Sequence, residues 1–82
     1  MHVWDCYPGD GDIRVTGNRI RGTSYDSGIF VDLSDGTVIR GNDLRGLEAP
    51  LGDVHLTSTT RNIVVVEPGD TVVDEGINND VR

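Results

Sequence analysis

Two arginines stand 24 positions apart in matching contexts, Arg19-Ile20-Arg21-Gly22 and Asp43-Leu44-Arg45-Gly46. If these lines stack, Arg21 and Arg45 fall in one column. Like charges opposed in a sheet are unfavourable unless an anion lies against them. Two guanidinium forks suit a sugar carboxylate, a sulfate or a phosphate, each of which accepts paired N–H donors. Beside them Arg19 and Asp43 form an opposite-charge pair, which Glu67 is positioned to extend. A second constellation groups Asp5, Asp32 and His55 in one outward column. A carboxylate beside an imidazole can pass protons, as a uronate epimerase or lyase requires. It can equally be a charge-compensating pair on a solvated sheet, with Asp32 raising the pKa of His55.

The elements that carry these residues follow from one recurrence. Asp12-Ile-Arg-Val-Thr-Gly-Asn-Arg-Ile-Arg-Gly22 returns as Gly36-Thr-Val-Ile-Arg-Gly-Asn-Asp-Leu-Arg-Gly46, at a spacing of 24 residues. The same step links Val15, Ile39 and Ile63, and also Gly28, Gly52 and Gly76. A fixed period in this range marks a stacked repeat architecture. No window holds apolar residues at helical spacing, whereas short alternating runs recur around Val15, Ile20, Val31, Ile39, Leu44, Leu56 and Val64. The expected fold is all-β, with three short strands per coil and about three coils. The third strand of the second coil is expected 23 residues after its counterpart, through a deletion in the loop from Leu47 to Leu51. Residues 12–81 form the repeats of a single domain spanning 1–82. Residues 1–11 form a partial coil or cap, with His2, Trp4 and Cys6 at inward positions.

The Gly-Asn-x-[Ile/Leu]-Arg-Gly corners at 17–22 and 41–46 resemble the right-handed parallel β-helix repeat family, which includes pectate-lyase-like proteins. The stretch from Thr37 to Val81 resembles the closing coils of such proteins. The resemblance implies three parallel sheets, glycine corners at positive φ, and asparagine amides stacked along the axis as a ladder. It also implies a setting among carbohydrate-acting proteins. The Asn-Thr-Asp and Gly-Asp-Asp motifs of the polygalacturonases do not occur in this chain, and about three coils offer little groove.

Composition narrows the partners. All seven basic residues are Arg, and fourteen acidic ones bring the formal net charge to −7. Such a chain is a poor ligand for nucleic acid or anionic membranes, both of which need a basic patch. No cofactor is implied. Asp26, Asp35, Asp53 and Gly9-Asp-Gly-Asp12 lack the alternating spacing of a calcium loop. Cys6, His2 and His55 are too scattered for zinc, so no metal site is expected. Thr57-Ser-Thr-Thr60 appears once, too little for a repeated threonine array. The start shows neither a basic region nor an apolar run, which fits a cytoplasmic protein or a piece of a longer secreted or periplasmic one.

A chain this short has little core to spare, and β-helix ends expose strand edges that template further pairing. Self-association is therefore expected, by coil ends or by sheet faces carrying Phe30, Val38, Val64 and Val66. The leading expectation is a non-enzymatic structural or carbohydrate-binding module, a homo-oligomer with acidic polysaccharide as a possible ligand. The alternative is a fragment or remnant of a polysaccharide lyase, glycoside hydrolase or uronate epimerase.

Overall fold

A computed structural model of the chain describes residues 1–4, 13–23 and 25–82. Expectations that rest on Asp5 and Cys6 fall outside this set. The described residues contain ten short strands and no helix. They are β1 (His2–Trp4), β2 (Arg14–Thr16), β3 (Gly22–Thr23), β4 (Ile29–Asp32) and β5 (Val38–Arg40). β6 (Leu47–Glu48), β7 (Val54–Leu56), β8 (Val64–Val66), β9 (Val72–Asp74) and β10 (Asp80–Val81) complete the set. Among the described residues these strands pair in parallel and build three sheets, ordered β1-β4-β7-β9, β2-β5-β8-β10 and β3-β6. The chain visits these sheets in rotation, then passes from β8 to β9 without a strand in the third.

Each strand is short because glycine or a polar residue bends the chain after a few positions. Gly17 and Gly41 take φ of 67° and 69° at equivalent corners, a region that costs L-residues energy. Strand centres point inward, and Val15, Ile39 and Val65 stack in one buried column that ends at Val81. Val3, Val31 and Leu56 form a second column, and Ile29 and Val54 a third. Outward Val38, Val64 and Val66 are half-buried, as their alternation with Ile39 and Val65 requires.

Two ladders of polar side chains run along the corners. The Asn18 amide nitrogen donates to Asn42 Oδ1 at 3.0 Å, and Asn42 Nδ2 donates to Glu67 Oε1 at 3.0 Å. The asparagine ladder therefore forms, and Glu67 replaces its third member. Glu67 thus extends the asparagine column and not the Arg19–Asp43 pair. At another corner Asn62 Nδ2 donates to Asp35 Oδ1 (3.0 Å) and Asn78 Nδ2 to Asn62 Oδ1 (2.8 Å). Such ladders satisfy polar groups that repeat at each level of the stack.

The register departs from a uniform 24-residue step. Ile39 lies against Val65, so Ile63 follows Thr37 in the neighbouring column. Ile29 lies against Val54 and Phe30 against His55, a step of 25 where 23 was expected. The extra residue enters at the Arg45-Gly46 turn, because Leu47 and not Gly46 pairs with Gly22. Gly28 consequently approaches Asp53, and the expected row of Gly28, Gly52 and Gly76 does not form. A slip of two residues leaves every side chain on its own face, so alternation cannot detect it. The first strand slips by one instead. Val3 pairs with Val31 and is buried, while His2 and Trp4 face outward. Small β-branched Val3 suits the column beneath Val31 better than an indole.

The last circuit closes polar. Asp74 continues the Val31–Leu56 column and accepts a hydrogen bond from Asn79 Nδ2 at 2.8 Å. Asn79 Oδ1 accepts from the Ile63 amide at 2.9 Å. The Val31–Leu56 column and Ile63 are therefore followed by polar side chains that bond each other.

Candidate functional site

Asp43 sits at the corner before β6 and gathers three guanidinium groups. Arg45 approaches it in two contacts, Nε to Oδ1 at 3.0 Å and Nη2 to Oδ2 at 3.1 Å. Arg19 and Arg21 stand at 3.6 and 3.7 Å from Oδ2. The expected Arg19–Asp43 pair is formed, and the two residues also bridge through their backbones. Arg21 and Arg45 are not in strict register, since Gly22 pairs with Leu47. Both nevertheless reach the same carboxylate. Hydrogen bonds from the Arg45 side chain and amide, then the charges of Arg45 and Arg21, hold Asp43 far below the usual carboxylate range. All three arginines remain exposed. Three cations on one anion leave a local surplus of positive charge in an otherwise acidic protein.

Next to this cluster the shortened last circuit leaves an open cleft of about 610 Å³. Its lining includes Arg40, Asp43, Arg45, Glu67, Pro68 and Asp70. Glu67 is 4% exposed and accepts from both the amide and the side chain of Asn42. Burial, then the negative charges of Asp53 and Glu67, push the Asp70 carboxyl upward, and it is hydrogen-bonded to Glu67. The spacing of Glu67-Pro-Gly-Asp70 in the sequence shows a turn but not this pairing.

The proton-transfer column does not assemble. Asp5 lies outside the described residues. His55 pairs with Phe30 and not with Asp32. Its Nδ1 contacts Asp26 Oδ1 at 2.8 Å and its Nε2 contacts Glu75 Oε1 at 2.5 Å, with the side chain only 8% exposed. Burial alone lowers the imidazole pKa, but the hydrogen bonds and charges of Glu75 and Asp26 outweigh it, and the net direction is upward. The raising partners are thus Asp26 and Glu75, where Asp32 was expected. Asp26 lies in a loop and Glu75 just past β9, so no repeat spacing links them to His55.

Asp32 is held elsewhere. Its Oδ1 accepts the Thr57 hydroxyl at 2.9 Å and the Thr59 hydroxyl at 2.6 Å. The Thr59 bond first, then Thr57, keep this carboxyl below its ordinary pKa. The isolated threonine run therefore positions a carboxylate. Among the described residues, no group of three His, Cys, Asp or Glu side chains is arranged to hold a metal ion. No protein-family model, curated protein or solved structure matches this chain.

Proposed function

We propose that this chain is a right-handed parallel β-helix module that acts as a non-enzymatic binding element for acidic polysaccharide and associates with further copies of itself. The rotation of the chain through three parallel sheets, with ladders at two corners, supports the β-helix reading. The guanidinium cluster at Asp43 carries the binding reading. Arg19, Arg21 and Arg45 are exposed and share one carboxylate, so an incoming sugar carboxylate can take up donors that Asp43 leaves unused. Short oligogalacturonate, titrated calorimetrically, is expected to bind in a salt-sensitive manner. The double variant Arg21→Ala/Arg45→Ala is expected to lose that binding, and unchanged affinity retires the site. Light scattering at several concentrations tests self-association, for which a concentration-independent monomer is the contrary result.

One observation favours a second reading. The Glu67–Asp70 carboxyl pair lies in a cleft beside Arg40 and Arg45, a grouping compatible with a remnant of a polysaccharide lyase or hydrolase. Release of new reducing ends or unsaturated uronates from polygalacturonate would favour that reading over pure binding.

A further inference from the structure

A different face of the molecule carries a second set of groups. Because Val3 and Val31 point inward, Trp4 and Asp32 lie side by side on the outer face of the β1-β4-β7-β9 sheet. Neighbouring strands put such paired residues about 4.8 Å apart. Trp4 is 57% exposed, a large apolar surface for a side chain held in a strand. In the adjacent row His2, Phe30 and His55 follow one another, with ring centroids 4.9 and 5.5 Å apart. These rings continue the same outer face one row along.

The Asp32 carboxylate beside Trp4 is fixed in place. Thr57 and Thr59 donate to one of its oxygens, and Thr59 Oγ1 also accepts the Leu33 amide at 3.0 Å. A carboxylate offers about four acceptor positions, so capacity remains toward solvent. Beyond Thr59 the face continues into a cleft of about 480 Å³, whose lining includes Asp35, Ser58, Thr59 and Arg61. Hydroxyl, carboxylate and guanidinium groups there offer both donors and acceptors.

We infer that the Trp4–Asp32–Thr59 face, continuing to Arg61, is a binding platform for a neutral pyranose oligosaccharide. A pyranose presents an apolar C–H face to an indole and hydroxyl edges to hydrogen-bonding groups around it. Trp4 supplies the stacking surface. Asp32, preset by two threonines, accepts from a sugar hydroxyl without reorganising, which lowers the cost of binding. The cleft at Ser58 and Arg61 receives the next residue of the chain. Neutral sugar is the class favoured here, because Asp32 and Asp35 repel a carboxylated one. This platform uses none of the Asp43 cluster, so it stands or falls separately from the acidic-glycan reading.

The test uses the full chain and its single tryptophan. Cellohexaose and maltohexaose are titrated while Trp4 emission is followed, with sorbitol as an open-chain polyol that has no ring face. The expected result is a saturable blue shift with at least one hexasaccharide and none with sorbitol. Calorimetry is expected to show binding abolished in Trp4→Ala, weakened about tenfold in Asp32→Asn, and unchanged in Arg21→Ala/Arg45→Ala. Thr59→Val, which keeps the carboxylate but loosens it, is expected to weaken binding by a smaller factor. Circular dichroism establishes that each variant is folded. The inference is overturned by an absence of saturable change, by an equal response to sorbitol, or by wild-type affinity in Trp4→Ala. Tighter binding of oligogalacturonate than of either neutral sugar at Trp4 overturns the assignment of ligand class.

Discussion

Raising the pH through the titration of His55 should loosen the molecule. The imidazole lies between Asp26 and Glu75, so as the cation it donates from both nitrogens. The neutral ring has one N–H and must face one carboxylate with a lone pair. One of two charge-assisted hydrogen bonds is then lost, each worth about 1.5–3 kcal/mol. Asp26 and Glu75 are partly hydrated, with side chains 38% and 57% exposed, which selects the lower end, about 1.5 kcal/mol. The sign follows from linkage. The folded pKa is raised, so the native state binds the proton more tightly than the unfolded chain. The contribution is complete below about pH 6.5 and disappears as pH rises through the folded value, with a slope of at most about 1.4 kcal/mol per pH unit. Thermal melts at a series of pH values check this, and a loss of about 1.5 kcal/mol lowers the midpoint by about 6–12 °C in a domain of this size. Asp32 at the end of β4, His2 beside Phe30, and Asp74 next to Glu75 are titratable groups that also lie near this strand pair. The double variant Asp26→Asn/Glu75→Gln separates their effect, because it removes both acceptor charges and should flatten the slope. A wild-type midpoint that stays level from about pH 6 to about pH 8.5, or a slope that survives in the double variant, refutes the reasoning.

Two further predictions concern stability. Thr37 is fully buried and its hydroxyl has no hydrogen-bond partner among the described residues, so Thr37→Val should stabilise the chain by about 1 kcal/mol in urea unfolding. A destabilised variant would mean that the hydroxyl is satisfied after all. Asn42→Ala removes the middle of the corner ladder and the side-chain donor that Asn42 gives the buried Glu67 carboxylate. A loss of about 3 kcal/mol is expected, and a loss no larger than that of Asn18→Ala would show the ladder to be ornamental to stability.

Much of the architecture is legible in the residue order because it depends on local chemistry. Gly17-Asn18 and Gly41-Asn42 recur 24 residues apart because each corner needs a positive φ and a side-chain amide that can bond its copy. Val15 and Ile39 alternate with polar neighbours because a strand between core and solvent must. The Arg19–Asp43 pairing follows from that same step. Beyond it legibility fades. Alternation has period two, so steps of 23 and 25 look alike until Phe30 is seen against His55. The second ladder, through Asp35, Asn62 and Asn78, has unequal spacing and no repeated motif to announce it.

The sequence alone thus determined an all-β chain of short strands, its corners, and a cluster of arginines around one repeat position. The tertiary structure alone decided which groups meet across circuits. It brought Asp26 and Glu75 to His55, Thr57 and Thr59 to Asp32, and Trp4 to the outer face beside Asp32. Those meetings depend on the offset between successive circuits, and that offset is set by a single extra residue at a turn and by which side chain fills the column beneath Val31. Local propensity is indifferent to both, because every strand remains a strand whichever neighbour it pairs with.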